Sequence, residues 1–279
     1  MGVRMMDLLT GNLEALRYEP TAKRVRASAG GEPVADTCEA RLVWEPRRVV
    51  PTYAMPIAAM TAQLVPTGAD SGADENVGAR LPAISSRPVL DPTVPFGAHS
   101  CAGTSFDVIA GDQARTGAVF RPDDPDLADY AILDFPAFEW REEDEPIIGH
   151  PHDPFSRIEV LRSSRHVRVE LDGQLLAEST RPMLLFETLL PVRFYLPRED
   201  VVVPLESSQT TTYCPYKGHA SYDSIPEGPR DVAWTYREPL HDAEPVRDRI
   251  CFFDERVDVF VDGQQRDRPV TPWTTNSVR

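Results

Sequence analysis

The sequence predicts a mainly β protein: two tandem copies of a compact antiparallel domain, of β-tent or β-sandwich type, with little helix. Three observations carry this. Apolar and polar residues alternate around turn dipeptides, as in "HVRVELDGQLLAES" (166–179) and "RVDVFVDG" (256–263), which is the pattern of strands joined by tight hairpins. The 27 prolines and frequent turn residues disfavour long helices. Third, the chain is written twice, and a repeat fixes the architecture before any single element does.

The repeat is read from two segments. "KRVRASAGGEPVADTCEARLVWEPRRVVPTYA" (23–54) aligns without a gap to "RHVRVELDGQLLAESTRPMLLFETLLPVRFYL" (165–196) at an offset of 142. Val25, Arg26, Gly31, Ala35, Leu42, Glu45 and Tyr53 meet Val167, Arg168, Gly173, Ala177, Leu184, Glu187 and Tyr195, and Trp44 meets Phe186. Further on, Cys101 in "AHSCAGTSFDV" meets Cys214 at an offset of 113, so the first copy carries 29 extra residues. They fall in "PTGADSGADENVGARLPAISSRP" (66–88), whose composition is that of a loop, disordered in part.

The elements follow in order. "MMDLLTGNLEALRYE" (5–19) is the one helix candidate, with a glycine inside it. "YAILDF" (130–135) and "ICFFD" (250–254) are short apolar runs suited to buried strands. The first domain is assigned to 17–143, an acidic, proline-bearing linker to 144–155, and the second domain to 156–265; the tail beyond has few core residues.

Composition narrows the function. A hydrophobic content of 41% supports a packed core, and a formal charge of −15 argues against nucleic acid or an anionic membrane as partner. No run approaches the ~20 apolar residues of a membrane span, and no signal peptide is read at the N-terminus. Four cysteines, none in a C-x-x-C pair, predict free thiols and no structural zinc. The expectation is a cytoplasmic, acidic protein without metal or cofactor; its oligomeric state is not legible.

The chemistry concentrates in "TTTYCPYKGHASY" (210–222). Pro215 ends strand pairing and Gly218 permits a turn, so Tyr216 and Lys217 are expected at a strand end on a tight bend. Lysine occurs only at 23 and 217, which singles out Lys217 for anion or carbonyl recognition or for a Schiff base. Cys214 is a nucleophile if a neighbouring cation lowers its pKa, yet Cys101 keeps its place without the lysine, which favours a structural thiol. Trp234 and Tyr236 share one face of a strand, and with Tyr213, Tyr216 and Tyr222 they could wall a pocket or simply form core. Glu187 follows the apolar run "MLLF" and needs a partner; Arg193 is the natural one, and Tyr195 lies beside it. The first copy has Pro51 where the second has Arg193. His150 and His152 flank a proline but are too few for a metal site, whereas His99 and Cys101 would share a strand face, either as a Cys–His pair or with His99 as a hydrogen-bonded histidine near a strand end.

Four blocks in order, "LLFETLLPVRFYLPREDV" (184–201), "TTTYCPYKGHASY", "VAWTYREPL" (232–240) and "ICFFDERVDVFVDG" (250–263), resemble the domain-of-unknown-function family 427 over 157–263. The first copy resembles a diverged member, with "CAG" in place of "CPYKG". The resemblance implies a compact β-tent or β-sandwich fold. It also carries a nucleotidyltransferase-like label, for which these residues offer no phosphate-binding glycine loop and no diagnostic carboxylate pair.

The functional expectation is a small-molecule-binding protein, with a concave pocket in the second domain for a flat or anionic metabolite. Its ligand-binding candidates are Arg193, Tyr195, Tyr213, Tyr216, Lys217, Tyr222, Trp234 and Tyr236. One alternative is a metabolic enzyme using Lys217, Tyr216 and Glu187, with Cys214 as a further candidate, for acid–base chemistry. Another is a structural or partner-binding protein. Under the pocket reading, the matching place in the first copy is closed or apolar, and Lys217→Ala leaves stability within about 1 kcal/mol.

Overall fold

The computed structural model describes residues 2–70 and 77–274. The chain divides into two compact units, 1–153 and 154–279. The first holds β1 (Arg17–Pro20), β2 (Val25–Ala29), β3 (Glu32–Thr37), β4 (Arg41–Trp44), β5 (Thr52–Pro56), β6 (Gln63–Asp70), β7 (Gly103–Ala110), β8 (Gln113–Pro122), β9 (Tyr130–Leu133), β10 (Glu139–Glu142) and β11 (Glu145–Ile147). The second holds β12 (Ile158–Arg162), β13 (Val167–Leu171), β14 (Gln174–Ser179), β15 (Met183–Glu187), β16 (Arg193–Leu196), β17 (Glu206–Cys214), β18 (Gly218–Ser224), β19 (Ala233–Pro239), β20 (Ile250–Phe252), β21 (Asp258–Val261) and β22 (Gln264–Gln265).

The topology is the same in both. A seven-stranded antiparallel sheet runs β1-β4-β5-β9-β8-β7-β6 in the first unit and β12-β15-β16-β20-β19-β18-β17 in the second. A four-stranded sheet runs β11-β10-β2-β3 and β22-β21-β13-β14. The β2–β3 and β13–β14 hairpins agree residue for residue, down to a bulge after Ala27 and after Val169. Gly30 and Gly31 turn the first at φ 58° and 85°, and Asp172 and Gly173 turn the second at 50° and 80°. Two successive positive φ values make the hairpin turn that matches strand twist.

The agreement slips by one at the fifth strand. Leu42 faces Tyr53 across β4–β5, but Leu184 faces Phe194 across β15–β16. The gap-free alignment of Tyr53 with Tyr195 is therefore corrected: Phe194 occupies the place of Tyr53, and Tyr195 that of Ala54. The connection from Glu45 to Thr52 is one residue longer than that from Glu187 to Arg193, and a one-residue shift exchanges the faces of a strand.

Side-chain alternation divides each large sheet into two faces. One packs on the small sheet, through Leu42, Tyr53 and Val119 in the first unit and Leu184, Phe194, Leu196 and Phe252 in the second. The opposite face holds Val43, Ala54, Phe120 and Ile132 in the first unit. In the second it holds Leu185, Tyr195, Tyr222, Trp234, Tyr236 and Cys251, roofed by a 3-10 turn at His241–Val246.

Three expectations change. The helix covers only Met5–Thr10 and buries none of its residues; Gly11 follows it, and Arg17–Pro20 pairs with β4. Residues 66–70 of the supposed loop extend β6, which pairs with β7 as far as Asp70 and Gly103. Residues 71–76 of that loop lie outside the described residues. From residue 77 the segment is anchored by a buried arginine: Arg47 donates to the carbonyls of Val77 and Pro88, each at 3.2 Å. The segment read as a linker begins with β11, paired to β10. No helix among the described residues is long and apolar enough to cross a membrane.

Leu196 is fully buried between the two sheets of the second unit. Leu196→Ala is expected to cost about 2–5 kcal/mol through lost burial and a residual cavity, seen as a lower urea midpoint at unchanged slope.

Candidate functional site

The motif at 210–222 forms the end of β17, a turn and the start of β18. Lys217 N–H closes the turn on the Cys214 carbonyl at 3.2 Å, and Leu240 N–H bonds the Lys217 carbonyl at 3.1 Å. Gly218 at φ 92° lies against the backbone of Glu238 and Leu240, which a Cβ would crowd. The bend thus presents Lys217 as expected, but inward: the residue is 7% exposed.

Its ammonium lies 2.5 Å from Glu187 Oε2. Burial opposes the charge, but the Glu187 carboxylate and the Cys214 thiol outweigh it and hold the Lys217 pKa above the ordinary lysine value. The amine stays protonated, which disfavours Schiff-base or general-base work. The expected Glu187–Arg193 pair is corrected by the same contact. Arg193 turns to Glu255 instead, donating from Nη1 to Oε2 at 3.0 Å and from Nη2 to Oε1 at 2.6 Å, with Asp254 3.7 Å away.

The first unit solves the same problem with other residues. Glu45 Oε1 lies 2.9 Å from His99 Nδ1, and its Oε2 accepts from Ser100 N–H at 2.7 Å and from the Cys101 thiol at 3.8 Å. His99 stands in for Lys217, stacked on Phe120 with ring centres 3.8 Å apart. The lysine is thus no mark of function peculiar to the second unit. Cys101 and His99 meet on the glutamate rather than as a Cys–His pair, and burial with the Glu45 charge raises the thiol pKa well above its ordinary range.

The aromatic candidates separate into two groups. Tyr195, Tyr222, Trp234 and Tyr236 are buried on one face, with Tyr216 packed against them. Trp234 Nε1 donates to the Tyr195 hydroxyl at 3.0 Å, its ring lies 4.5 Å from Phe253, and Tyr222 shares a 2.8 Å bond with Thr212. Burial above all, reinforced by the nearby Tyr195, Cys214 and Glu187, raises the Tyr236 pKa well above the ordinary phenol value. Tyr213 does not join them. It pairs with exposed His219 across β17–β18, edge to face at 4.7 Å. The group is a packed layer rather than the lining of an open mouth.

Sequence reasoning missed the partners of Arg193. Asp254 and Glu255 follow the apolar run "ICFF" as Glu187 follows "MLLF", so the rule that flagged one would have flagged the others. The Arg193 guanidinium also lies 5.4 Å from the Trp234 ring and 5.7 Å from that of Trp273, in the tail. Burial opposes the Arg193 charge, yet Glu255 and Asp254 hold it fully cationic; burial pushes Asp254 up to about 6 against the pull of Arg193. The matching positions in the first unit are Thr52, Phe135 and Pro136. A cavity of about 400 Å³ also lies on the small sheet of the first unit, lined by Arg26, Asp36, Glu139 and Arg141. There Arg26 bonds Asp144 at 3.0 Å and Arg141 the Asp144 carbonyl at 2.6 Å.

The comparisons with known proteins bear on this half of the chain. Residues 159–263 match the Domain of unknown function (DUF427). The matched segment carries Glu187, Arg193, Lys217, Trp234 and Glu255 but stops short of Trp273. A search of curated proteins returned no match.

Two outcomes follow from the geometry of the matched segment. Lys217→Met leaves the half-buried Glu187 without its cation and is expected to cost about 1–3 kcal/mol, replacing the surface-like effect expected earlier. Adding Glu187→Leu should recover much of the loss, and urea melts of the single and double variants measure both. For Asp254, the native carboxyl keeps its proton to higher pH than the unfolded one, which titrates near 3.8. Its contribution to stability is therefore full at low pH and declines as pH rises from about 4 to about 6, by roughly 3 kcal/mol at most. Asp254→Asn should flatten that decline; matching pH slopes in the two proteins would contradict the assignment.

Proposed function

We propose that the first unit is a diverged tandem copy of the DUF427 domain and that the second unit is a binding module for a flat small molecule. The shared strand order, the shared bulge and the two clamped glutamates support the duplication. The observation that carries the binding reading is Arg193, a buried guanidinium set against the indole of Trp234, at a position the first unit fills with Thr52. Core maintenance accounts for Lys217 and Glu187, since His99 and Glu45 repeat them. It does not account for an arginine, two acids and an indole in place of a threonine, a phenylalanine, a proline and another phenylalanine.

Charge refines the ligand. Lys217 is matched by Glu187, and Arg193 by Glu255 with Asp254 close by, so the cluster carries no surplus positive charge for an anion. The favoured ligand is planar and uncharged, stacks on guanidinium and indole faces, and donates a hydrogen bond to a carboxylate. Binding without catalysis is favoured because the ammonium, the phenols and the thiol of Cys251 are all held in their protonated forms.

The four tryptophans, Trp44, Trp140, Trp234 and Trp273, make the test direct. With 5-fluorotryptophan incorporated, titration with N-acetyltryptophanamide and nicotinamide should move the Trp234 and Trp273 fluorine resonances and leave those of Trp44 and Trp140 in place. Trp234→Phe should remove the response. Shifts confined to the first unit, or none in either the native chain or Trp273→Ala, would refute the reading.

A further inference from the structure

We propose that the segment Pro269–Thr274 occupies the ligand site of the second unit, with Trp273 standing in for an indole-like ligand. This rests on the binding reading above and adds the ligand class and an occupant. Trp273 packs against the aromatic face although it lies outside both sheets. Its ring meets the Arg193 guanidinium at nearly the distance of the Trp234 ring, 5.7 against 5.4 Å. Thr271, only 5% exposed, donates its hydroxyl to Glu255 Oε1 at 2.5 Å, the oxygen that also receives Arg193 Nη2.

The segment is folded to present these two groups together. Trp273 N–H donates to the Thr271 hydroxyl oxygen at 3.2 Å, Thr271 N–H to the Thr274 hydroxyl oxygen at 2.8 Å, and Thr274 N–H to the Thr271 carbonyl at 3.1 Å. One short turn therefore offers a flat aromatic face to a cation and a hydroxyl to a carboxylate. A free ligand for the same place would carry the same pair: a heteroaromatic ring and a neutral O–H or N–H donor. Because the occupant is tethered, a free ligand competes with a local concentration on the order of millimolar. Unseating the indole should strengthen ligand binding without any new contact.

The test compares the full chain with its Trp273→Ala variant, using N-acetyltryptophanamide as probe and calorimetry as readout. The variant should bind at least ten times more tightly. Equal binding by the two proteins would leave the binding reading standing and overturn the tethered occupant; binding by neither would overturn both. A chain ending at Arg268, checked for folding by circular dichroism, gives a second readout. It should bind a peptide of residues 268–274, and the same peptide with Trp273→Ala should not bind. A folded truncated chain that ignores the native peptide overturns the inference. If the truncated chain does not fold, the Trp273→Ala comparison decides alone.

Discussion

A carboxylate placed at the end of a buried strand has to be answered, and each unit is arranged around that answer. Glu187 ends β15, and Glu45 directly follows β4. An unmatched charge there would cost several kcal/mol. In both units the partner arrives from the connection leading into the next long strand, as Lys217 in one and His99 in the other. That contact pins the connection over the large sheet and brings a cysteine beside the pair. In the second unit the turn then carries Tyr216 into the aromatic layer, and Gly218 lets the backbone pass close to β19.

The second charged centre is of another kind. Arg193 is answered twice over, by Glu255 through two hydrogen bonds and by Asp254 nearby, and its flat guanidinium lies near two indoles. Lysine could supply the charge but neither the paired geometry nor the flat face. The contact that answers Glu187 has a counterpart in the His99–Glu45 hydrogen bond of the first unit and is explained by folding. The arginine centre occurs in one unit, and the fold the two units share does not account for it.

Much of the fold was legible in the sequence. Turn dipeptides placed the β13–β14 hairpin, alternation placed β21, and short apolar runs placed β9 and β20. Reading the chain as written twice led to the expectation of two β units, and two units with one strand order are present. What failed did so for physical reasons. Helical spacing in 5–19 was outweighed by the pairing of β1 with β4, and the loop-like composition of 66–70 was outweighed by pairing with β7. The site was legible in part. Tyr195, Trp234 and Tyr236 were picked out and do pack on one face, but which acid answers which cation depends on three-dimensional proximity that residue type does not encode. Asp254 and Glu255 were visible to the same rule as Glu187. Trp273 and Thr271 were hidden because their role comes only from where the tail folds back.

The slip between the fifth strands reaches beyond alignment. The phenol of Tyr53 is lodged between the sheets, bonded to Glu142 at 2.8 Å, whereas the phenol of Tyr195 lies on the opposite face and receives the Trp234 N–H. The two tyrosines neighbour each other in any gap-free reading, yet they belong to different layers of the molecule. Loop length here acts as a selector of face: one residue more or fewer before the strand decides which set of side chains turns toward the small sheet. Roles assigned to residues of one unit therefore transfer to the other only after that single residue has been counted.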